Sequence, residues 1–169
     1  MGDIAYFVVS FMKSAIIIDG HNFLFKSFAV PFKFYSKRGI PLHVIVTFIS
    51  LVRRAVTLSK GGTNIMVVFD YDGVNHNNAI DRDYKRNRVT DYTELGDSPF
   101  KHLPYIKKVL TYLTIKWVES KGVEADDIIA SAVRKYQKLK YNTIVVSTDS
   151  DFFQLINVNL SCVANKNQI

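Results

Sequence analysis

Ala15-Ile16-Ile17-Ile18 runs straight into Asp19-Gly20, Ile65-Met66-Val67-Val68-Phe69 into Asp70, and Thr143-Ile144-Val145-Val146 into Ser147-Thr148-Asp149. Each run is short, rich in β-branched side chains and apolar at nearly every position rather than at every second one. A strand of that kind has both faces buried, the condition of a parallel sheet covered by helices. Weaker strand candidates lie at 114–118 and 160–164. Between the strands, periodic apolar residues predict helices at 44–58, where Val44, Phe48, Leu51, Val52 and Ala55 share one stripe, and at 99–112 and 125–139, with a short helix at 152–156. Strands alternating with helices define an α/β fold, a three-layer sandwich with a central, mostly parallel sheet.

Residues 73–98 break this pattern. They hold Asn75, His76, Asn77 and Asn78, then Tyr84-Lys85-Arg86-Asn87-Arg88, with no regular apolar stripe, and read as a long functional loop or lid. Lys60-Gly61-Gly62 is a helix stop and not a phosphate loop, because no Gly-Lys-Ser/Thr follows. With 169 residues, 48% of them hydrophobic, the chain can pack one domain and is not disordered by composition. Lys and Arg outnumber Asp and Glu by 22 to 15, a net charge of +7, so the surface attracts polyanions such as nucleic acid. The single cysteine, Cys162, excludes an internal disulfide and reads as a core thiol in a reducing cytoplasm. The apolar segment 4–12 is too short for a bilayer and lacks a basic leader or a cleavage site, so no membrane association is expected. Residues 1–12 read as a non-native or upstream extension, and 13–169 as the domain proper.

In open parallel sheets, ligands bind beyond the carboxyl ends of the strands. Asp19, Asp70, Asp149 and Asp151 stand there, and Glu124, Asp126 and Asp127 open the helix after Gly122-Val123, where the helix N-terminus favours negative charge. One Asp after a strand is more often a turn former or an N-cap than a ligand. These acids, however, are seven of the chain's fifteen carboxylates, and crowding them raises their pKa values and costs stability unless cations relieve it. Oxygen ligands without a His or Cys cluster favour Mg²⁺ or Mn²⁺ over zinc, and a pair of such ions suits phosphodiester hydrolysis. On a regular helix Glu124 and Asp127 share a face and Asp126 points away. All three face one site only if Glu124 precedes the first full turn; otherwise Asp126 or Glu124 acts through water or as an N-cap.

Five stretches then resemble a known family in order and approximate spacing: Ile17-Ile18-Asp19-Gly20-His21-Asn22, Val68-Phe69-Asp70, Tyr84-Lys85-Arg86-Asn87-Arg88, Gly122-Val123-Glu124-Ala125-Asp126-Asp127 and Ser147-Thr148-Asp149-Ser150-Asp151. The family is that of 5′–3′ exonucleases and flap endonucleases, including the N-terminal domain of bacterial DNA polymerase I and phage 5′ exonucleases. The resemblance implies a PIN-like domain with a loop or helical arch at about 73–98, in which the seven acids hold or orient two Mg²⁺ or Mn²⁺ ions. By the same resemblance Lys85 is the catalytic lysine at the base of the arch and Arg88 its basic partner, suited to stabilising charge on the scissile phosphate. Lys26 and Arg86 fall to nucleic-acid contact, and Tyr84 to stacking on a base or to anchoring the loop. His21, with no second His beside it, is expected in a structural or water-mediated role, and His43, His76 and His102 as surface or capping residues. The implied substrate is DNA with a 5′ end or flap. Family members continue past the last strand with a helix-three-turn-helix module and a further metal-site aspartate. This sequence ends at Ile169, so that module is expected to be absent or supplied by a separate polypeptide.

Three other readings compete with this one. Asp70-Tyr71-Asp72-Gly73 resembles the start of haloacid dehalogenase-type phosphatases, but that leaves Asp19 and the Glu124 cluster unexplained. A PIN-type ribonuclease shares the acids and lacks the Lys85–Arg88 motif. A non-catalytic nucleic-acid-binding homologue has no need for so costly an acidic cluster.

Overall fold

The computed structural model describes residues 13–58, 64–71, 98–155 and 160–163. Within them, β1 (Ser14–Asp19), β2 (Asn64–Val68), β3 (Lys116–Val118), β4 (Asn142–Val146) and β5 (Leu160–Val163) form one five-stranded sheet in the order β3-β2-β1-β4-β5. Every described pairing within this sheet is parallel. Ile17 of β1 lies opposite Met66 on one side and Val145 on the other, which brings the carboxyl ends of β1, β2 and β4 level.

Helices cover both faces, as the continuous apolar strands require. Against one face pack α1 (Gly20–Phe28), α2 (Leu42–Leu58) and α3 (Leu103–Tyr112), joining Ile16, Ile18, Phe23, Phe48, Phe69 and Ile106 in a core rich in aromatic rings. Against the other lies α4 (Ala125–Lys138), whose Ile129 and Val133 meet Ile17, Val68 and Val145. A 3₁₀ turn at Ser150–Leu155 adds Phe152 to this thinner core.

Helix α1 is an element the periodicity does not announce. Its buried stripe is Gly20, Phe23, Leu24 and Ser27, and two of those four carry no apolar side chain. Gly20 is required by close approach: a Cβ there would stand 2.4 Å from the Phe69 ring and 2.7 Å from the Val68 carbonyl oxygen. The helix expected at 99–112 begins as a 3₁₀ turn at Pro99–His102, because Pro104 has no N–H to give an α-helical bond to Phe100. After α3 the chain reverses through Thr114 at φ 56°, so β3 starts at Lys116, later than the expected 114. Of the histidines expected as surface or capping residues, His43 and His102 are not at the surface, each being 2% exposed, and His102 stands at the N-cap position of α3. His43 is boxed in by the Phe34 and Tyr35 rings and His102 by Phe28, contacts made by residues distant enough in sequence to leave no local signal. Cys162 lies in β5. No helix among the described residues is long and apolar enough to cross a membrane.

Candidate metal and nuclease site

Asp19 closes β1 and opens α1 at once. Its Oδ1 accepts the Asn22 backbone N–H at 3.0 Å, capping α1, and its Oδ2 accepts the Ser147 hydroxyl at 2.8 Å. The Ser147 Oγ in turn accepts the Asp149 N–H at 3.1 Å, and the Asn22 side-chain amide donates to the Thr148 hydroxyl. The β1–α1 junction is thereby tied to the turn after β4. Burial pushes the Asp19 carboxyl above its ordinary value, the bonds from Asn22 and Ser147 pull it back, and the charge of Asp70 pushes it up again.

Asp70, two residues beyond β2, accepts the Ala125 N–H at 2.8 Å through Oδ1 and so caps α4 from another strand. Its own N–H donates to His21 Nδ1 at 3.1 Å. That ring nitrogen also lies 3.4 Å from Asp70 Oδ2, but a nitrogen accepting an N–H has no proton to give. The shorter contact fixes the tautomer, so the imidazole positions the backbone of Asp70, the structural role expected of it.

Because Asp70 caps α4, Glu124 is left without that duty. Glu124 has extended backbone at φ −72° and ψ 151° and makes no side-chain cap bond. It precedes the first helical turn, the one condition under which the acids of this helix converge. Asp126, in the first turn of α4, lies within electrostatic reach of the strand-end acids. Burial, then the charges of Asp19, Asp149, Asp70 and Glu124, push its carboxyl up to about 6. Glu124 stands before the helix, the case in which regular helical spacing does not pair it with Asp127. Asp127 and Asp151 are not among the carboxylates whose charge acts on Asp126. Asp151 donates its N–H to Asp149 Oδ1 at 3.0 Å, shaping the turn.

Lys26 of α1 is half-buried, with Nζ 5.9 Å from the Phe23 ring centroid. Burial lowers its pKa, and the charge of Asp19, close enough to act on it, raises it again. Tyr84, Lys85, Arg86 and Arg88 lie outside the described residues, as does the rest of 72–97. Three contributors carry no role in the sequence reading: Asn22, Ser147 and Lys107. Lys107 Nζ lies 5.5 Å from the Phe69 ring centroid and 5.3 Å from that of Trp117, and pairs with Glu119, bracing the strand end that carries Asp70.

The donor set fits a hard divalent cation. It is all oxygen and negative, and the buried Asn22 Oδ1 has no hydrogen-bond partner among the described residues. Turning the amide over would only move the orphan to the nitrogen, since one end alone meets Thr148. Among the described residues no three acidic, His or Cys side chains are already gathered tightly enough to hold an ion. Coulombic coupling reaches further than a metal–oxygen bond of about 2.0–2.5 Å. Asp19, Asp70 and Asp149 each accept a local N–H or O–H donor.

A family profile described as "5'-3' exonuclease, N-terminal resolvase-like domain" matches residues 14–169. The chain is 28% identical over 158 residues to a 5'-3' exonuclease of Buchnera aphidicola from Schizaphis graminum, covering 93% of this chain and 54% of that protein. It is 29% identical over 150 residues to a 5'-3' exonuclease of Aquifex aeolicus, covering 88% and 50%. It thus spans about half the length of these curated relatives. Among solved structures, the phage T5 D15 protein crystallised with metal ions superposes with a TM-score of 0.61 at 21% identity, covering 89% of this chain and 53% of that one, and so shares the PIN-like fold. The D15 flap endonuclease in a pseudo-enzyme-product complex with DNA and metal ions gives 0.60 at 21%, covering 89% and 54%. With the family profile matched across nearly its whole length, the chain belongs to the 5'-3' exonuclease family as its N-terminal, resolvase-like domain.

Proposed function

We propose that these residues form the metal-binding half of a 5′ nuclease that hydrolyses DNA phosphodiesters at a 5′ end or flap, leaving 5′-phosphate products. The observation that carries the reading is that the level carboxyl ends of three parallel strands and the start of α4 meet at one edge, tied together by the bonds of Asp19 to Asn22 and Ser147, of Ser147 to Asp149 and of Asp70 to Ala125. Asp19, Asp70, Glu124, Asp126 and Asp149 would hold two Mg²⁺ or Mn²⁺ ions, with Asp127 and Asp151 at the margin. When bound, such ions supply Lewis acidity and neutralise charge on the phosphodiester. Asp19 and Asp70 keep their places through Asn22, Ser147 and Ala125, so the site is held by the scaffold before substrate arrives. Lys26 and Arg86 draw in backbone phosphate, Tyr84 stacks on or beside a base, and Lys85 and Arg88 stabilise the charge that grows on the phosphate as water attacks in line. The relatives carry about as much chain again, and tight duplex binding is assigned to that second half, in the same polypeptide or in a separate one. A cytoplasmic location goes with such a substrate.

The test is cleavage of a 5′-labelled flap duplex by the 169-residue chain with Mg²⁺ or Mn²⁺, beside Asp19→Asn. Asparagine keeps the oxygen that caps α1, whereas alanine would lose it and confuse folding with catalysis. Metal-dependent cutting that disappears in the variant supports the proposal. Equal cutting by both would refute the assignment of Asp19.

A further inference from the structure

From Ser98 to Val118 the chain holds Lys101, Lys107, Lys108 and Lys116 and no acidic residue at all. Lys107 is turned inward to Glu119, so its charge is neutralised within the fold. The others are exposed. Along the 3₁₀ turn and α3, Lys101, Tyr105, Lys108 and Tyr112 follow a spacing of four, three and four, which puts them on a single helical stripe. Tyr105 is 44% and Tyr112 is 76% exposed, and Lys108 Nζ lies 6.0 Å from the Tyr112 ring centroid.

The stripe has a direction. It begins beside the acid edge, where the Phe100 ring meets that of His21 at 5.7 Å, and it ends at the opposite edge of the sheet, where α3 turns back into β3. Over eleven residues it runs about 16 Å, the length of a few nucleotides. Two exposed tyrosines could equally suit a protein partner, but alternation with lysines, and the lack of any carboxylate between Ser98 and Val118 to repel phosphate, fit a strand whose bases stack while its backbone is neutralised.

We infer that the outer face of α3 is a track for single-stranded nucleic acid leading away from the acid edge. The inference rests on the proposed function only in taking nucleic acid as the ligand. Its test is therefore binding without metal: fluorescence anisotropy of a labelled oligothymidylate with the chain in EDTA, over a series of salt concentrations. Lys108→Glu with Tyr112→Ala, both exposed positions, should weaken binding by about tenfold or more and flatten the salt dependence by about one charge. Arg134→Glu with Lys138→Glu, exposed on α4 across the sheet, should change it far less. The readout uses neither metal nor cleavage, so a failure of the nuclease reading would appear in the flap-cleavage assay and not here. Undiminished binding by the α3 variant, an equal loss in the α4 variant, or no binding by the unaltered chain would overturn the track and leave diffuse charge or a protein partner as the use of this face.

Discussion

The strand-end carboxylates and the helix-start carboxylates carry the same charge into the same site and are held in opposite ways. Asp19 and Asp70 each accept defined donors: the Asn22 N–H and Ser147 hydroxyl for one, the Ala125 N–H for the other. Glu124 caps nothing with its side chain, and Asp126 is left under the pressure of four neighbouring charges. The first pair are structural members that also face the site. The second are strained members whose charge the fold tolerates and does not satisfy. Substitutions should therefore move stability in opposite directions in the two groups while moving metal binding in the same one.

The largest expected effect is catalytic. Asp19→Asn should cut cleavage on the order of 10²–10³-fold, read in single-turnover assays, with secondary structure by circular dichroism unchanged. Next is the strand-end group's structural share: Asp70→Ala strips α4 of its cap and should cost about 1–2 kcal/mol in urea unfolding, with helix content lost first from α4. A cost near zero would mean that Asp70 is as unsatisfied as Asp126 and would erase the contrast.

For the helix-start group the sign reverses and depends on pH. With its carboxyl at about 6 in the fold against an ordinary 3.8, Asp126 holds its proton more tightly folded than unfolded. Below about pH 4 both forms are protonated and there is no penalty. The penalty grows as pH rises from about 4 to 6 and is complete above that. Asp126→Asn should thus raise the melting temperature at pH 7.5 and leave it unchanged at pH 4. The gain should stay below about 1 kcal/mol, because the group is exposed enough for solvent to screen it. The smallest effect lies outside both groups. Thr114, a β-branched residue at φ 56°, should yield about 0.5–1 kcal/mol to glycine, checked by thermal unfolding.

The contrast also marks how much of the molecule was legible in the sequence. Parallel strands β1, β2 and β4 were legible because Ile16 to Ile18, Met66 to Val68 and Ile144 to Val146 are apolar on both faces, a pattern few other structures tolerate. The strand-end acids followed from that, since a strand's end fixes where the next residue stands. Helix α1 was not legible, because a buried Gly20 and Ser27 look polar or neutral in a stripe that is fully packed. Which helix-start acid faces the site was not legible either. It turns on whether Glu124 is inside or before the first turn, and that is decided by Asp70 capping α4 from a residue 55 positions away. Ser147 meeting Asp19 across 128 positions, and Lys107 pairing with Glu119 between two aromatic rings, are likewise products of the finished fold.

The central claim is that this acidic edge exists to hold divalent cations, and isothermal titration of the chain with Mn²⁺ at pH 7.5 and pH 5.5 tests it most directly. The account predicts saturable binding that weakens at the lower pH, as protons compete for Asp126, and that is lost in Asp19→Asn. Saturable binding that is indifferent to both pH and Asp19, or no binding by the folded chain, would contradict it.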